Sequence, residues 1–351
     1  MVHDNSPSST GSESNRSVQP LHPRTPTALQ KVYWPLLLAL SLAACLRIAA
    51  LLAAYPAIYY GRDMIRYARV FPVNLFDDWW MPVGYALFLK ILHGISDHIA
   101  PIIILQHAFG LGIGLLGYFM ARSLNLPRAV SVVCALPAWF SGDLLFIEHT
   151  IASETLFHLF MAMALLAATT GIAKQSMLAV LAASCLIGVS ALVRNIGLVL
   201  LGALVAGIIV AMWRSPRLLV GALVLAIAPA LMITRIYVAI AEATGGYAGV
   251  SDMGGWNMYA RVATFADCRR FEPPAGSEVL CETRPPSERP GTFFYGNSPN
   301  SPAKIHFGLP NALYDFYVLD RSKNDLVRQF ALKAMLGQPW DYLHVMARDA
   351  G

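Results

Sequence analysis

The carboxylates of this chain are few enough to weigh one by one. Residues 1–241 hold 9 Asp and Glu among long apolar runs. Asp4 and Glu13 fall in a polar N-terminal tail, which leaves Asp63, Asp77, Asp78, Asp97, Asp143, Glu148 and Glu154. Asp63 stands in Tyr59-Tyr60-Gly61-Arg62-Asp63-Met64-Ile65-Arg66-Tyr67-Ala68-Arg69. On a helix, Asp63, Arg66 and Tyr67 share a face. A carboxylate held there among Arg and Tyr is suited to general-base chemistry. The competing reading is a surface ion pair with Arg62 or Arg66, which stabilises little. Glu148 and Glu154 bracket the turn Glu148-His149-Thr150-Ile151-Ala152-Ser153-Glu154. Glu154 opens an uncharged apolar run, where it either complements a helix dipole or serves a function at membrane depth. His149 is a proton carrier, a phosphate partner or simply an interfacial side chain. Arg194 lies between two apolar runs, as a snorkelling anchor or as a ligand for an anionic head group. Asp97 and Asp143 read as solvated loop charges.

The elements that must position these residues are membrane spans. The chain has 351 residues, 56% hydrophobic and 13% charged, with mean hydropathy +0.52. A soluble domain carries about 25% charged residues. This composition excludes a cytosolic enzyme, a nucleic-acid-binding protein and a disulfide-rich secreted domain. Residues 1–31, rich in Ser, Pro and Thr, read as a disordered tail without a cleaved signal peptide. Seven apolar segments follow within 32–241, beginning at Val32–Ala54, Ile99–Ala121 and Pro127–Gly142. Thr155–Ala173, Gln175–Val193, Asn195–Trp213 and Leu218–Ala241 complete the set. The predicted fold class is an all-α polytopic membrane protein. Met81–Ile95 is too short to span and reads as an interfacial helix with Tyr85, Phe88, Leu89 and Leu92 on one face.

Net charge is +5, and the basic excess (15 Lys and Arg against 9 acids) sits before residue 242. Arg122, Arg128, Lys174, Arg214 and Arg217 fall with the tail on one side if seven spans alternate. The positive-inside tendency makes that side the cytoplasm. The loop 55–98, the 143–150 turn, Arg194 and residues 242–351 then lie outside. The 242–351 segment is punctuated by prolines, with helical periodicity over Asn324–Leu336 and a break at Gln338-Pro339. Cys45, Cys134 and Cys185 fall in spans and read as packing residues. Cys268 and Cys281 lie outside, where they either pair or stay as free thiols. Gly110-Leu-Gly112-Ile-Gly114-Leu-Leu-Gly117 sits inside a span, so it reads as a small-residue packing stripe rather than a nucleotide loop.

Several of these segments, in order, resemble the bacterial polytopic glycosyltransferases of the GT-C fold, the broad group of dolichyl-phosphate-mannose–protein mannosyltransferases and aminoarabinose transferases. The first span ends in Leu46-Arg47 and is followed by Asp63, Tyr67 and Ala68. Pro82-Val83-Gly84-Tyr85-Ala86-Leu87-Phe88-Leu89 is similar to the family's P-x-G-Y-x-x-F-L. A basic turn follows at Arg122 to Arg128, and Ile151-Ala152-Ser153-Glu154-Thr155-Leu156-Phe157 is similar to L-S-E-x-L-F. The resemblance covers about residues 32–240. Cys268, Cys281 and Gln338-Pro339-x-x-Tyr342 resemble the outer region of an actinobacterial-type subgroup.

The resemblance implies a GT-C-like helix bundle and a polyprenyl-phosphate sugar as donor substrate. It implies Asp63 as general base, with Glu154 as the second acidic residue. Arg66, Arg69 and Arg194 would meet the phosphate leaving group. Tyr67, Tyr85, Glu148 and His149 would complete the substrate-binding set, and Trp79-Trp80 would stack on sugar or anchor at the interface. The acceptor would be a glycan, lipid or protein hydroxyl. No convincing ligand set for a divalent metal is present, and metal dependence stays open at this point. The family continues with further spans, whereas this chain ends at Gly351, which points to a truncated or minimal form. Rival readings are a catalytically silent scaffold in envelope assembly and a transporter. The transporter is disfavoured because no two halves repeat.

Overall fold

The computed structural model describes residues 33–59, 64, 67, 75–76, 79–307 and 321–350. The tail 1–31 and Asp63, Arg66, Arg69, Asp77 and Asp78 lie outside the described residues. Among the described residues all regular structure is helical. In chain order the apolar part forms α1 (Trp34–Ala53), α2 (Val83–His93), α3 (Ala100–Ser123), α4 (Arg128–Phe140) and α5 (Gly142–Glu148). It continues through α6 (Glu154–Lys174), α7 (Met177–Val193), a 3-10 turn at Asn195–Leu198, α8 (Val199–Met212) and α9 (Pro216–Gly245).

Among the described residues, five helical runs are long and apolar enough to cross a membrane: α1, α3, α6, Asn195–Met212 and α9. The α4–α5 pair, bent by 55° at its break, makes up to six. The protein is therefore membrane-embedded and helical, with five or six crossings supported against the seven expected. The difference lies at the broken α4–α5 pair and at α7, whose 17 residues stand at the lower limit of what crosses a bilayer. The hydrocarbon core of a bilayer is about 30 Å thick.

Close packing of α3 depends on its glycines. A Cβ on Gly110 would fall 1.9 Å from Glu148 Oε1, and one on Gly114 would fall 2.1 Å from the Trp139 indole nitrogen. The small-residue stripe thus seats a carboxylate and an indole against the α3 backbone. Trp139, fully buried, also donates from its ring nitrogen to the Leu111 carbonyl at 3.0 Å. Deeper in the bundle, α6, α7, α8 and α9 meet through Ala164, Ala183, Ile187, Ile208, Ala226 and Ala230. There the Ser184 hydroxyl donates to the Ala226 carbonyl at 2.6 Å and accepts from the Ala230 N–H at 3.1 Å, beside Pro229. Small residues and a hydroxyl across helices are what membrane packing favours. Cys45 and Cys134 depart from the packing role expected of them: both are exposed. A thiol is apolar enough to face lipid as readily as a core.

The 30-residue α9 is about 45 Å long, well beyond one hydrocarbon thickness. Its end carries Tyr237, Val238 and Ala241 into the core of a second, outlying unit. That unit is built from α10 (Gly254–Val262), α11 (Thr292–Asn297), α12 (Pro302–Phe307), α13 (Arg321–Gly337) and α14 (Pro339–Ala350). Tyr259, Tyr295, Val327, Phe330, Ala331 and Ala334 are its buried centre, and Trp79 joins them. Cys268 and Cys281 form a disulfide. The segment is thus better packed than its proline content predicts, because helices of six to nine residues are too short to show a periodic pattern. The break at Gln338-Pro339 is as expected. Buried Gln338 accepts from the Asp267 N–H at 2.7 Å and donates to the Phe265 carbonyl at 3.3 Å, tying the start of α14 to the end of α10.

Gly110→Ala is expected to lower stability by about 1–3 kcal/mol through overpacking against Glu148. Gly112→Ala, whose Cβ would meet only Leu159 at 3.9 Å, is the neutral control. Thermal unfolding of both purified variants checks this, and equal melting temperatures would refute the packing role of Gly110.

Candidate functional site

The end of the bundle that holds the 148–154 turn brings together residues from all of α1 to α7 or their caps. Its base is Arg47, the lone charge of α1. All five guanidinium N–H groups are placed on acceptors. Nε donates to Glu148 Oε2 at 2.8 Å and Nη2 to Glu148 Oε1 at 2.7 Å. Nη1 donates to the Ala43 and Trp139 carbonyls at 3.2 and 3.0 Å, and Nη2 to the Ala138 carbonyl at 3.2 Å. Ala138 and Trp139 lie at the end of α4, where the break at Ser141 interrupts the helical ladder. Arg47 therefore supplies donors to carbonyls that the bend leaves without helical partners. Both members of the ion pair are buried, at 3% and 4% side-chain exposure.

From Glu148 the bonding continues inward. His107 Nδ1 lies 3.0 Å from Glu148 Oε2, His107 Nε2 lies 2.9 Å from His149 Nδ1, and His149 Nε2 lies 2.9 Å from the Ala54 carbonyl oxygen. A carbonyl only accepts, so His149 donates from Nε2. Beside them Gln106, also fully buried, donates to the Glu148 and Thr150 carbonyls at 2.9 and 2.7 Å. Its Oε1 accepts from the Tyr85 hydroxyl at 2.6 Å.

Tyr85 is placed by α2, which Gly84 lets approach α7. A Cβ on Gly84 would lie 2.4 Å from the Leu192 carbonyl oxygen. The face expected of this helix is the packed one: Tyr85 and Leu89 are buried, with Phe88 and Leu92 against them. Tyr67 crosses Tyr85 edge to face, with ring centroids 4.6 Å apart. Burial pushes the Tyr85 phenol well above its ordinary pKa, and the neighbouring Tyr67 and the Glu154 charge push the same way.

Glu154 begins α6 and pairs with Arg194, which caps α7. The same guanidinium nitrogen, Nη1, donates to Glu154 and to the Ser153 hydroxyl, the latter at 3.1 Å. Side-chain exposures of 37% for Arg194 and 29% for Glu154 make this pair reachable from outside. Among the described residues, Nε and Nη2 of Arg194 have no protein acceptor. Asn195 next to it donates to the Ser251 hydroxyl at 2.6 Å, linking this end of the bundle to the outlying unit.

The expected site residues thus fall into two groups. Glu154, Arg194, Tyr67 and Tyr85 converge, although Tyr67 and Tyr85 are themselves buried. Glu148 and His149 lie beneath them in the Arg47 network. Trp79 is packed into the outlying core rather than presented at a surface. Gln106 and His107 were not singled out from the sequence. Their signal was two polar side chains inside an uncharged span, where polar groups are costly unless bonded. Among the described residues no group of three or more His, Cys, Asp or Glu is arranged to hold a metal ion. No family model, curated protein or solved structure matches the chain.

Removing one partner of the buried pair is expected to be severe. Arg47→Met should destabilise by about 3–5 kcal/mol by leaving Glu148 buried and uncompensated. The double variant Arg47→Met, Glu148→Leu should recover much of that loss. Detergent-solubilised thermal melts of the two variants decide it, and an equally unstable double variant would show that the pair's charge is not the cause.

Proposed function

We propose that the protein is a membrane glycosyltransferase that moves a sugar from a polyprenyl-phosphate donor to an acceptor hydroxyl at the outer face. The observation that carries this reading is the convergence of Glu154, Arg194, Tyr67 and Tyr85. They come from segments up to 127 positions apart in the sequence: Tyr67 crosses Tyr85, the Glu154 charge acts on Tyr85, and Glu154 pairs with the partly exposed Arg194. The chain order of the resembling segments supports the same assignment. So does the gathering of the basic turns at Arg122–Arg128, Lys174 and Arg214–Arg217 at the opposite helix ends, which fits seven spans with the N-terminus cytoplasmic and residues 242–351 outside.

In this mechanism Asp63 takes the proton of the acceptor hydroxyl as its oxygen attacks the anomeric carbon. The bond from that carbon to the phosphate oxygen breaks, through a transition state of oxocarbenium character, and the electron pair leaves with the phosphate. The unoccupied donors of Arg194 stabilise the departing phosphate charge, with Arg66 and Arg69 as further cations. Glu154 fixes the Arg194 guanidinium in place. A single displacement inverts the anomeric configuration. The acceptor class and the sugar are left to the assay.

The test is sugar transfer in membranes from synthetic polyprenyl-phosphate sugars. Asp63→Asn is expected to lower the rate by about 10²–10⁴-fold, as loss of a general base does. Arg194→Met should lower it by about 10²–10³-fold, as loss of an electrostatic donor does. Full transfer by both Asp63→Asn and Glu154→Gln would sink the assignment.

A further inference from the structure

Between α3, α4, α5 and α6 lies a cavity of about 320 Å³ that no step of the transfer reaction uses. Its walls run from Gly110 to Met120 on α3 and from Thr155 to Leu165 on α6. Ten residues of helix give it a length of about 15 Å. The lining is apolar along most of that length. The polar side chains, Glu148, Thr155 and His158, gather at one end. Thr155 is 1% exposed, and its hydroxyl has no hydrogen-bond partner among the described residues. A buried hydroxyl left unpaired is unfavourable, and such groups are ordinarily satisfied by protein, water or ligand.

We infer that this cavity binds a single-chain lipid with an uncharged hydrogen-bonding head, such as a long-chain alcohol. The chain fills the apolar length, and the head hydroxyl pairs with Thr155 and His158. Charge selects against a phosphorylated head. Glu148 presents a carboxylate at the polar end, and the five donors of its partner Arg47 are all occupied. A phosphate placed there would lose its hydration and find no Lys or Arg in the lining to replace it. The Arg194 donors at the surface serve a phosphate; this cavity serves a neutral lipid.

The experiment uses the full chain in lipid nanodiscs and a long-chain alcohol bearing a mid-chain diazirine, with the monophosphate of the same chain as comparison. Photolabelled peptides are mapped by mass spectrometry, a readout that needs no transfer activity. The alcohol should label 110–120 and 155–165 at least about fivefold more than the phosphate. Thr155→Val, isosteric and free of the hydroxyl, should reduce alcohol labelling about three- to tenfold, the size of one neutral hydrogen bond. Ala162→Leu, which fills the lining, should reduce labelling by both probes while the melting temperature is retained. Equal labelling by the phosphate, or unchanged alcohol labelling in Thr155→Val, would overturn the inference.

Discussion

The buried Arg47–Glu148 ion pair is the interaction on which the rest of the bundle depends. Two charges removed from water are expensive unless each lone pair and each N–H is matched. Here the matching is complete on the arginine side, and that completeness fixes geometry in four helices. Arg47 can reach the Ala138 and Trp139 carbonyls only because α4 and α5 part at Ser141. Glu148 can lie against α3 only because position 110 has no side chain. The bend, the glycine and the ion pair are therefore one structural unit, each shaped to admit the others.

What the pair fixes internally it also projects outward. Glu148 ends α5, and its backbone carbonyl, with that of Thr150, is held by Gln106. The turn that follows delivers Ser153 and Glu154 to Arg194. Through Tyr85 the same Gln106 positions α2 beneath Tyr67. The outlying unit applies the same device. Arg289 donates to the carbonyls of Ala263, Ala266, Glu282 and Arg284, joining the end of α10 to the loop closed by the disulfide. In both places a guanidinium with several donors takes up carbonyls that short or broken helices leave exposed.

Much of this was legible in the sequence, in proportion to segment length. Spans of 20 residues or more announce themselves by composition, and the α2 face was readable from the spacing of Tyr85, Phe88, Leu89 and Leu92. The partnership of Arg47 with Glu148 was not, because 101 positions separate them and nothing local marks the pairing. Gln106 and His107 escaped attention for the opposite reason: a polar pair in an uncharged span changes composition little. The helices support five or six of the seven expected spans, since composition reveals neither the break within 128–148 nor that the helix at 177–193 stops at 17 residues. The outlying core was hidden because Tyr259, Tyr295 and Phe330 are brought together by tertiary contacts rather than by any periodic stripe.

Two acid–arginine pairs occur within six positions of each other on the same turn, and burial separates their roles. Arg47–Glu148 is at 3% and 4% exposure, with the guanidinium fully occupied and both carboxylate oxygens bonded. It has nothing left to offer a ligand and much to lose if disturbed. Arg194–Glu154 is at 37% and 29%, and among the described residues only one guanidinium nitrogen is engaged. An exposed pair of this kind contributes little to stability, so the fold alone gives small reason for it. Its spare donors, held in register by the buried pair below, are what an arriving anion would require. The rigid pair positions the adaptable one, and that division is why the proposed chemistry falls to Glu154 rather than to Glu148.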